Sequence, residues 1–486
     1  MKIFQVFIPG DFIDAFAYRG RLLAIAADTS IHVLSMDKIA TFAEAQVPSS
    51  IPMPDLLFAR NNWMSDPKYR LFVRSPRIAA ALLAASNALA EQNIECTTES
   101  IELCRIDLTP RSYHYPLDLN IYNGRLYIAT EDGFYHQDFA DWKSQIPQLD
   151  GALERRHDGH STHTSAKYGT VNISCGSDGF LCALDEFQLR KSEQQDNVEL
   201  LDDDDLIPSS SPGDRRLFKR FQPQEQAGMS FKSDWCNFDI VNYSDSTTLT
   251  LLTTEHDSKP EYKLEGQSAL LQGFKSSTSL WDLPRSTDRP RTPDVEHDLI
   301  DHVFNADQTF YIHTVDGDFY SARMRYSDET GEPTLQSTIK LAGIRASGVC
   351  KTASVEYGMH LLKKRKKRTA VVVECFGELL VINDNGESVT LSDRPSRTVR
   401  TFPNSKQYQN LVVVARDDGL WLNTIFDDTF LKASELLEQV GEVFPRDGHL
   451  TAAQAEMIDL TSRHEIELED DETDSENLDD FTADFE

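Results

Sequence analysis

The sequence predicts an all-β protein: a β-propeller of about seven four-stranded blades, with a helical insertion and short C-terminal helices. Three observations carry that expectation. A hairpin signature recurs along the chain, its spacing fits a propeller blade, and its central apolar runs do not alternate with polar residues.

The signature is an apolar run, a tight polar turn and a second apolar run. It reads RLLAIAADTSIHVLS from Arg21, RLYIATEDGFYHQDF from Arg125 and TVNISCGSDGFLCALD from Thr170. It returns as TFYIHTVDGDFYSAR from Thr309, TAVVVECFGELLVIND from Thr369 and LVVVARDDGLWLNTI from Leu411. Asp132, Asp178, Asp316 and Asp418 each precede a glycine, and Phe376 precedes Gly377. Asp and Gly tolerate the positive φ that two-residue hairpin turns need, so each copy reads as a β-hairpin. The turns recur roughly 40–60 residues apart where no insertion intervenes, against about 40–50 for a typical blade.

Counting a degenerate hairpin pair from Asp239, the units fall at residues 1–37, 98–140, 150–188, 230–266, 295–341, 342–392 and 393–431. Runs such as VVVEC at 371–375 and LVVVA at 411–415 are apolar at consecutive positions, so both faces of those strands must be covered. Blades packed face to face around an axis do this; a two-sheet sandwich leaves one face of each sheet in water and reads as alternation. The N-terminal MKIFQVFI either supplies a strand to the last blade, uniting the chain ends, or forms the first strand of the first blade.

The propeller is expected over 1–431, interrupted by insertions at 40–97 and 186–230 and a loop at 274–296. Within the first insertion, Ser75-Pro76 is an N-cap followed by proline at the first helical position, and the Ala-rich run to residue 92 carries Ile78, Leu82 and Leu89 on one face. The second holds Asp202 to Asp205 and SSSPGDRR, a composition too polar to bury a core. In the loop, Leu280 and Trp281 are candidate anchors. Residues 432–463 are expected to form a short helical extension (Ala433 to Val440 and Ala452 to Thr461), and 464–486 a disordered acidic tail.

Composition bounds function. The chain has 486 residues and a net charge of −31, which argues against wholesale binding to nucleic acid or anionic membrane. Twelve of its acids lie in 465–486, which hold no Lys or Arg. The seven cysteines are odd in number, mostly within apolar runs and never spaced CxxC, which suits reduced thiols in a reducing compartment. The N-terminus lacks a signal-peptide h-region, and IAAALLAA at 78–85 is far short of a membrane span of roughly 20 residues. The expected protein is soluble and cytoplasmic, or nuclear in a eukaryote.

Three features stand apart from the repeat. Lys363, Lys364, Arg365, Lys366, Lys367 and Arg368 are consecutive cations between GMHLL and TAVVV, a hairpin tip that acts as one patch toward an anionic partner. It reads as a localisation-like signal, a contact for nucleic acid, or a dock for an acidic protein or the chain's own tail, against a merely solvated loop. The absence of interleaved aromatics speaks against base stacking. In the tail, Leu478, Phe481 and Phe485 would align on one face of a helix, the pattern of a segment that folds into a partner's groove; the alternative is a solubilising tail. His157, His160 and His163 lie within RRHDGHSTHT and are weak candidate metal ligands, with no Cys or Glu to complete a recognised set.

The six hairpins resemble those of the WD40-like group of β-propellers, although Gly-His occurs only at Gly159 and Gly448 rather than once per blade, and the sole Trp-Asp, at Trp281, lies in a loop. The resemblance implies a platform for protein partners. No P-loop, GxSxG, HExxH or dinucleotide fingerprint is present, and no cofactor is implied. The expected function is therefore a non-enzymatic interaction scaffold within a multiprotein complex, with the basic loop and acidic tail as docking elements. The competing class is a propeller hydrolase or lyase with its site in the central channel. An apolar patch on one face would favour the first, and convergent titratable groups with perturbed pKa values at a channel mouth the second.

Overall fold

The recurrent hairpins form the centres of seven sheets of four or five strands, antiparallel except where Ile94–Glu95 runs parallel to the N-terminal strand of the last blade. The computed structural model describes residues 1–47, 84–107, 116–122, 124–140, 148–167, 170–184, 206–207, 218–219, 222–223, 228–237, 239–256, 271–284, 295–326, 332–336, 339–345, 349–357, 368–383, 386–402, 405 and 408–426. Each sheet begins with an inner strand. In order these are Phe12–Tyr18, Asp118–Tyr122, His163–Lys167, Lys232–Cys236, Ile300–Ala306, Val349–Tyr357 and Thr398–Thr401. Every inner strand lies against the next, and the seventh lies against the first, so the sheets close into a seven-bladed propeller ring.

Closure joins the chain ends. The seventh blade comprises Thr398–Thr401, Leu411–Arg416 and Gly419–Phe426, and its next strand is the N-terminal Lys2–Pro9. Lys2–Pro9 runs antiparallel to Gly419–Phe426 in unbroken register from Lys2 opposite Phe426 to Pro9 opposite Gly419. Phe4, Val6 and Ile8 on one face of that strand are fully buried. This resolves the N-terminal alternatives in favour of the last blade. Blade 1 is consequently Phe12–Tyr18, Arg21–Ala26 and Ser30–Ser35, completed by Glu102–Asp107, which the sequence reading had grouped with the second unit.

The consecutive apolar runs are covered on both sides. Val371 and Val373 pack with Phe304, Tyr311 and Phe319 of blade 5. Ala370 and Val372 face the other way, onto Val412 and Val414 of blade 7. Each such aliphatic side chain contributes about 1.5–3 kcal/mol on burial, so blade-to-blade packing supplies most of the ring's cohesion.

Two local differences from the sequence reading have simple causes. A helix, Met36–Gln46, begins directly after Ser30–Ser35: Ser35 caps it by accepting from the Lys38 N–H, and Met36, Ile39, Ala40 and Ala43 form its buried face. The outer strand of blade 4 is Leu271–Ser279, so the start of the expected loop at 274–296 pairs with Leu249–His256. Its Ser and Thr residues suit a strand at a wet sheet edge. Leu280 is buried beyond it, as an anchor would be. Of the helix expected over 75–92, residues 84–92 are described: 84–90 are helical, with Ala85 and Leu89 buried, and the helix ends before residue 91.

Because neighbouring strands are antiparallel, connections alternate between the two faces of the ring. The turn face carries the links between second and third strands and the links between blades. The insert face carries the remaining links. The strand ends that bracket 36–101, 185–221 and 358–367 lie on the insert face, as does Phe426, the last described residue. All four Asp-Gly turns and the Phe376-Gly377 turn lie on the turn face.

Candidate docking face and central channel

The channel wall is built from inner strands, whose narrow packing brings side chains from several blades together. Arg400, on the inner strand of blade 7, donates from Nε to Asp14 Oδ1 of blade 1 at 3.0 Å and from Nη1 to the Leu119 carbonyl of blade 2 at 2.8 Å. Its Nη2 also bonds Asp14 and reaches Asp118 Oδ1 of blade 2 at 2.9 Å. The guanidinium stands over the Phe16 ring, 5.6 Å from its centroid. Burial opposes the charge on Arg400, but Asp14 and Asp118 outweigh it and raise the pKa further.

The network continues into blade 3. Asp118 Oδ2 accepts from the Thr164 N–H at 2.9 Å and lies 3.7 Å from His163 Nε2. Burial would raise the Asp118 carboxyl, yet Arg400, His163 and the Thr164 N–H together hold it below the usual carboxylate range. Burial pushes His163 down, against the pull of Asp118 and Asp234. A second arginine, Arg397, secures the same seam nearer the turn face by pairing with Asp11 and Asp417 and donating to the Phe12 carbonyl. Arg400, Asp14 and Asp118 are committed to one another as a largely buried, mutually neutralised clasp, with the exposed Arg397 pairs at its rim.

The turn face differs in character. Among the described residues the large exposed apolar side chains are Leu117, Met229, Phe231, Leu299, Val315 and Phe376, and every one lies on this face. Leu117, Phe231 and Leu299 occupy one structural position: each immediately precedes an inner strand, at the channel mouth of blades 2, 4 and 5. Val315 adjoins Leu299, its N–H donating to the Leu299 carbonyl at 2.9 Å. Phe376 is 80% exposed and sits at φ 48°, followed by Gly377 at φ 85°. Two successive positive-φ residues make a tight hairpin turn that favours Asn or Gly at the first position. A phenylalanine there costs about 1–2 kcal/mol of backbone strain.

The residues singled out in the sequence separate. Lys363, Lys364, Arg365, Lys366 and Lys367, and Leu478, Phe481 and Phe485, lie outside the described residues. Arg368 begins the second strand of blade 6, its backbone opposite Tyr357. The three histidines diverge. His157 is on the outer strand of blade 2 opposite Phe134, His160 is exposed in the link, and His163 is on the inner strand of blade 3. His157 Nε2 is buried without a hydrogen-bond partner, and burial lowers its pKa. Among the described residues no group of three or more His, Cys, Asp or Glu side chains is placed to hold a metal ion.

Sequence reasoning missed both features that define the two regions. Asp14, within the apolar FIDAFAY, carried a usable signal, because a charge on a buried strand needs a partner. Of the exposed apolar residues only Phe376, a large apolar side chain at a hairpin turn, carried one; Leu117, Phe231, Leu299 and Val315 adjoin strands and are indistinguishable from core until the turns are placed.

No family model matches the chain, and a search of curated proteins finds no match. Similar solved structures include the N-terminal domain of Nup159, with 9% identity and a TM-score of 0.40 over 88% of this chain and 96% of that one. The Pan2 WD40 domain of Neurospora crassa has 6% identity and a TM-score of 0.37, covering 85% and 89%. YCF48 bound to D1 peptide has 8% identity and a TM-score of 0.39, covering 88% and 96%. The seven-blade closure rests on the strand pairing itself rather than on these likenesses.

Proposed function

We propose that this propeller is a non-enzymatic protein-interaction scaffold within a multiprotein complex, and that its turn face is a principal docking surface. One observation carries the reading: the exposed large apolar side chains among the described residues all lie on that face. Apolar surface left in water across several blades is the mark of a surface that a partner covers. The pairing of Arg400 with Asp14 and Asp118 supports a structural role for the inner strands rather than a catalytic one.

The basic loop Lys363 to Arg368 and the tail residues Leu478, Phe481 and Phe485 are further docking elements in this reading. Their charge and helical spacing support it. The strand ends that bracket the loop, Tyr357 and Arg368, and the last described residue, Phe426, all lie on the insert face. The two faces would then recruit different partners, and nucleic acid would contact the basic loop alone. A cytoplasmic setting is consistent with the thiols: burial pushes Cys96 up to about 12 and Cys175 up to about 11, which leaves both inert. Among the described residues no helix is long and apolar enough to cross a membrane.

Affinity purification of the chain and of its Val315→Ser/Phe376→Ser variant tests the proposal. The variant should fold and lose at least one co-purifying protein. An unchanged partner set would remove the turn face from consideration.

A further inference from the structure

We infer that the partner segment seated on the turn face is cationic, a basic peptide stretch carrying aliphatic or aromatic anchors. The inference rests on the docking reading above and adds the chemistry of the occupant.

The observation behind it is a contrast in how this face treats its acids. On blades 1, 2 and 7 many are neutralised within the fold. Asp28 pairs with Arg105, Asp158 with Arg155, and Asp11 and Asp417 share Arg397. Asp418 is held by Arg416, whose guanidinium stacks over Trp421. Around the apolar residues the balance shifts: Lys232 pairs with Asp234 and Lys340 with Asp318, but among the described residues the acids of the turns and links themselves have no such cation. Glu131 lies in the turn beside Leu117, and Asp178, Asp245, Glu296, Asp298 and Asp316 surround Phe231, Leu299 and Val315 in blades 3 to 5. All six are exposed, and none has a lysine or arginine partner among the described residues.

Unpaired acids of one sign repel each other, and a propeller that neutralises them elsewhere has the means to do so here. Residues 285–294, outside the described residues, carry three Arg against two Asp, a net charge of +1. An anionic partner would be repelled. A cationic one would be attracted over about a Debye length, roughly 8 Å at physiological salt, and then fixed by burying its anchors against Phe231, Leu299, Val315 and Phe376. Exposed ion pairs add about 0–1 kcal/mol each, so the charges set selectivity and association rate while the apolar contacts set affinity.

The probes are three short fluorescein-labelled peptides of repeating Leu/Lys, Leu/Glu and Ser/Lys, titrated into the full chain by fluorescence anisotropy. The Leu/Lys peptide should bind tightest and weaken at least about ten-fold between about 50 mM and about 300 mM salt. Val315→Ser/Phe376→Ser should weaken it about ten-fold, and Asp298→Asn/Asp316→Asn several-fold with a flatter salt dependence. The control Asp37→Asn/Glu91→Gln, away from the turn face, should leave it unchanged. If the control weakens binding as much as Asp298→Asn/Asp316→Asn, attraction to the protein's overall charge explains it and the inference fails. If Leu/Glu binds as tightly as Leu/Lys and responds to Val315→Ser/Phe376→Ser, the docking face stands and the cationic occupant falls. If no peptide responds to Val315→Ser/Phe376→Ser, both fall.

Discussion

Arg400 on the inner strand of blade 7 reaches past blade 1 to place its Nη2 2.9 Å from Asp118 Oδ1 on blade 2. With Asp14 held on the way, one guanidinium ties three blades across the point where the ring closes. The seam joins chain segments nearly four hundred residues apart in sequence, so an interaction that bridges it acts on closure rather than on any single hairpin.

Replacing Arg400 with Met should destabilise the ring by about 3–5 kcal/mol, because Asp14 and Asp118 would be left as unpaired charges. The shift in a chemical-denaturation midpoint measures it. Adding Asp14→Asn and Asp118→Asn should recover part of the loss. A single variant as stable as the parent would show that the clasp contributes nothing to closure.

Gly419 faces Pro9 where the N-terminal strand joins the last blade. Its φ is 150°, and a Cβ there would sit 2.2 Å from the Ile8 carbonyl oxygen. Gly419→Ala should therefore cost about 2–3 kcal/mol and loosen the closing strand first. Hydrogen exchange at residues 2–9 should rise before exchange in the other blades.

Phe376→Asn should leave stability unchanged or raise it by roughly 0.5–1 kcal/mol, since Asn accepts the positive φ that Phe resists. The same change should reduce partner recovery. A variant both less stable and fully partner-competent would mean the ring packs locally and has no docking role.

Stability should decline as pH falls. Burial holds His157 and His163 below their ordinary 6.5, so the unfolded chain takes up protons that the folded one resists, and stability is lost as pH drops below that value. Asp118 acts in the same direction at lower pH: its contribution is present above 3.8 and disappears as pH falls through its depressed folded value. Denaturation midpoints between about pH 7.5 and about pH 5.5 should fall, and His157→Phe should flatten that slope.

Removing residues 465–486, or changing Phe481 and Phe485 to Ala, should abolish at least one co-purifying partner without moving the unfolding midpoint. Neutralising Lys363 to Arg368 should lower affinity for an anionic partner and flatten its salt dependence. Unaltered binding in either case leaves that element as solvated surface.

Much of the fold was legible in the residues. Val371, Val372 and Val373 are apolar in succession, and they do pack alternately onto blades 5 and 7. The turn glycines lie in the turns expected of them. Boundaries were less legible where a blade borrows a strand across an insertion, as Glu102–Asp107 does, because nothing local marks which sheet a lone strand joins. The Met36–Gln46 helix escaped notice for a related reason: its short apolar face continues directly from a strand.

The candidate site was scarcely legible. Phe231, Leu299 and Val315 read as strand flanks, while His157 and His163 read as one cluster and end on different blades. Local periodicity and turn chemistry are encoded by neighbours a few residues apart, and they suffice for hairpins buried on both faces. Position around the ring is a long-range property. The antiparallel run of every strand sets which turns share a face, and pairing of Lys2–Pro9 with Gly419–Phe426 brings the first and last blades together. That closure seats Arg400 between Asp14 and Asp118 and gathers the apolar turn residues on one face, because only a closed ring gives distant segments a common neighbourhood.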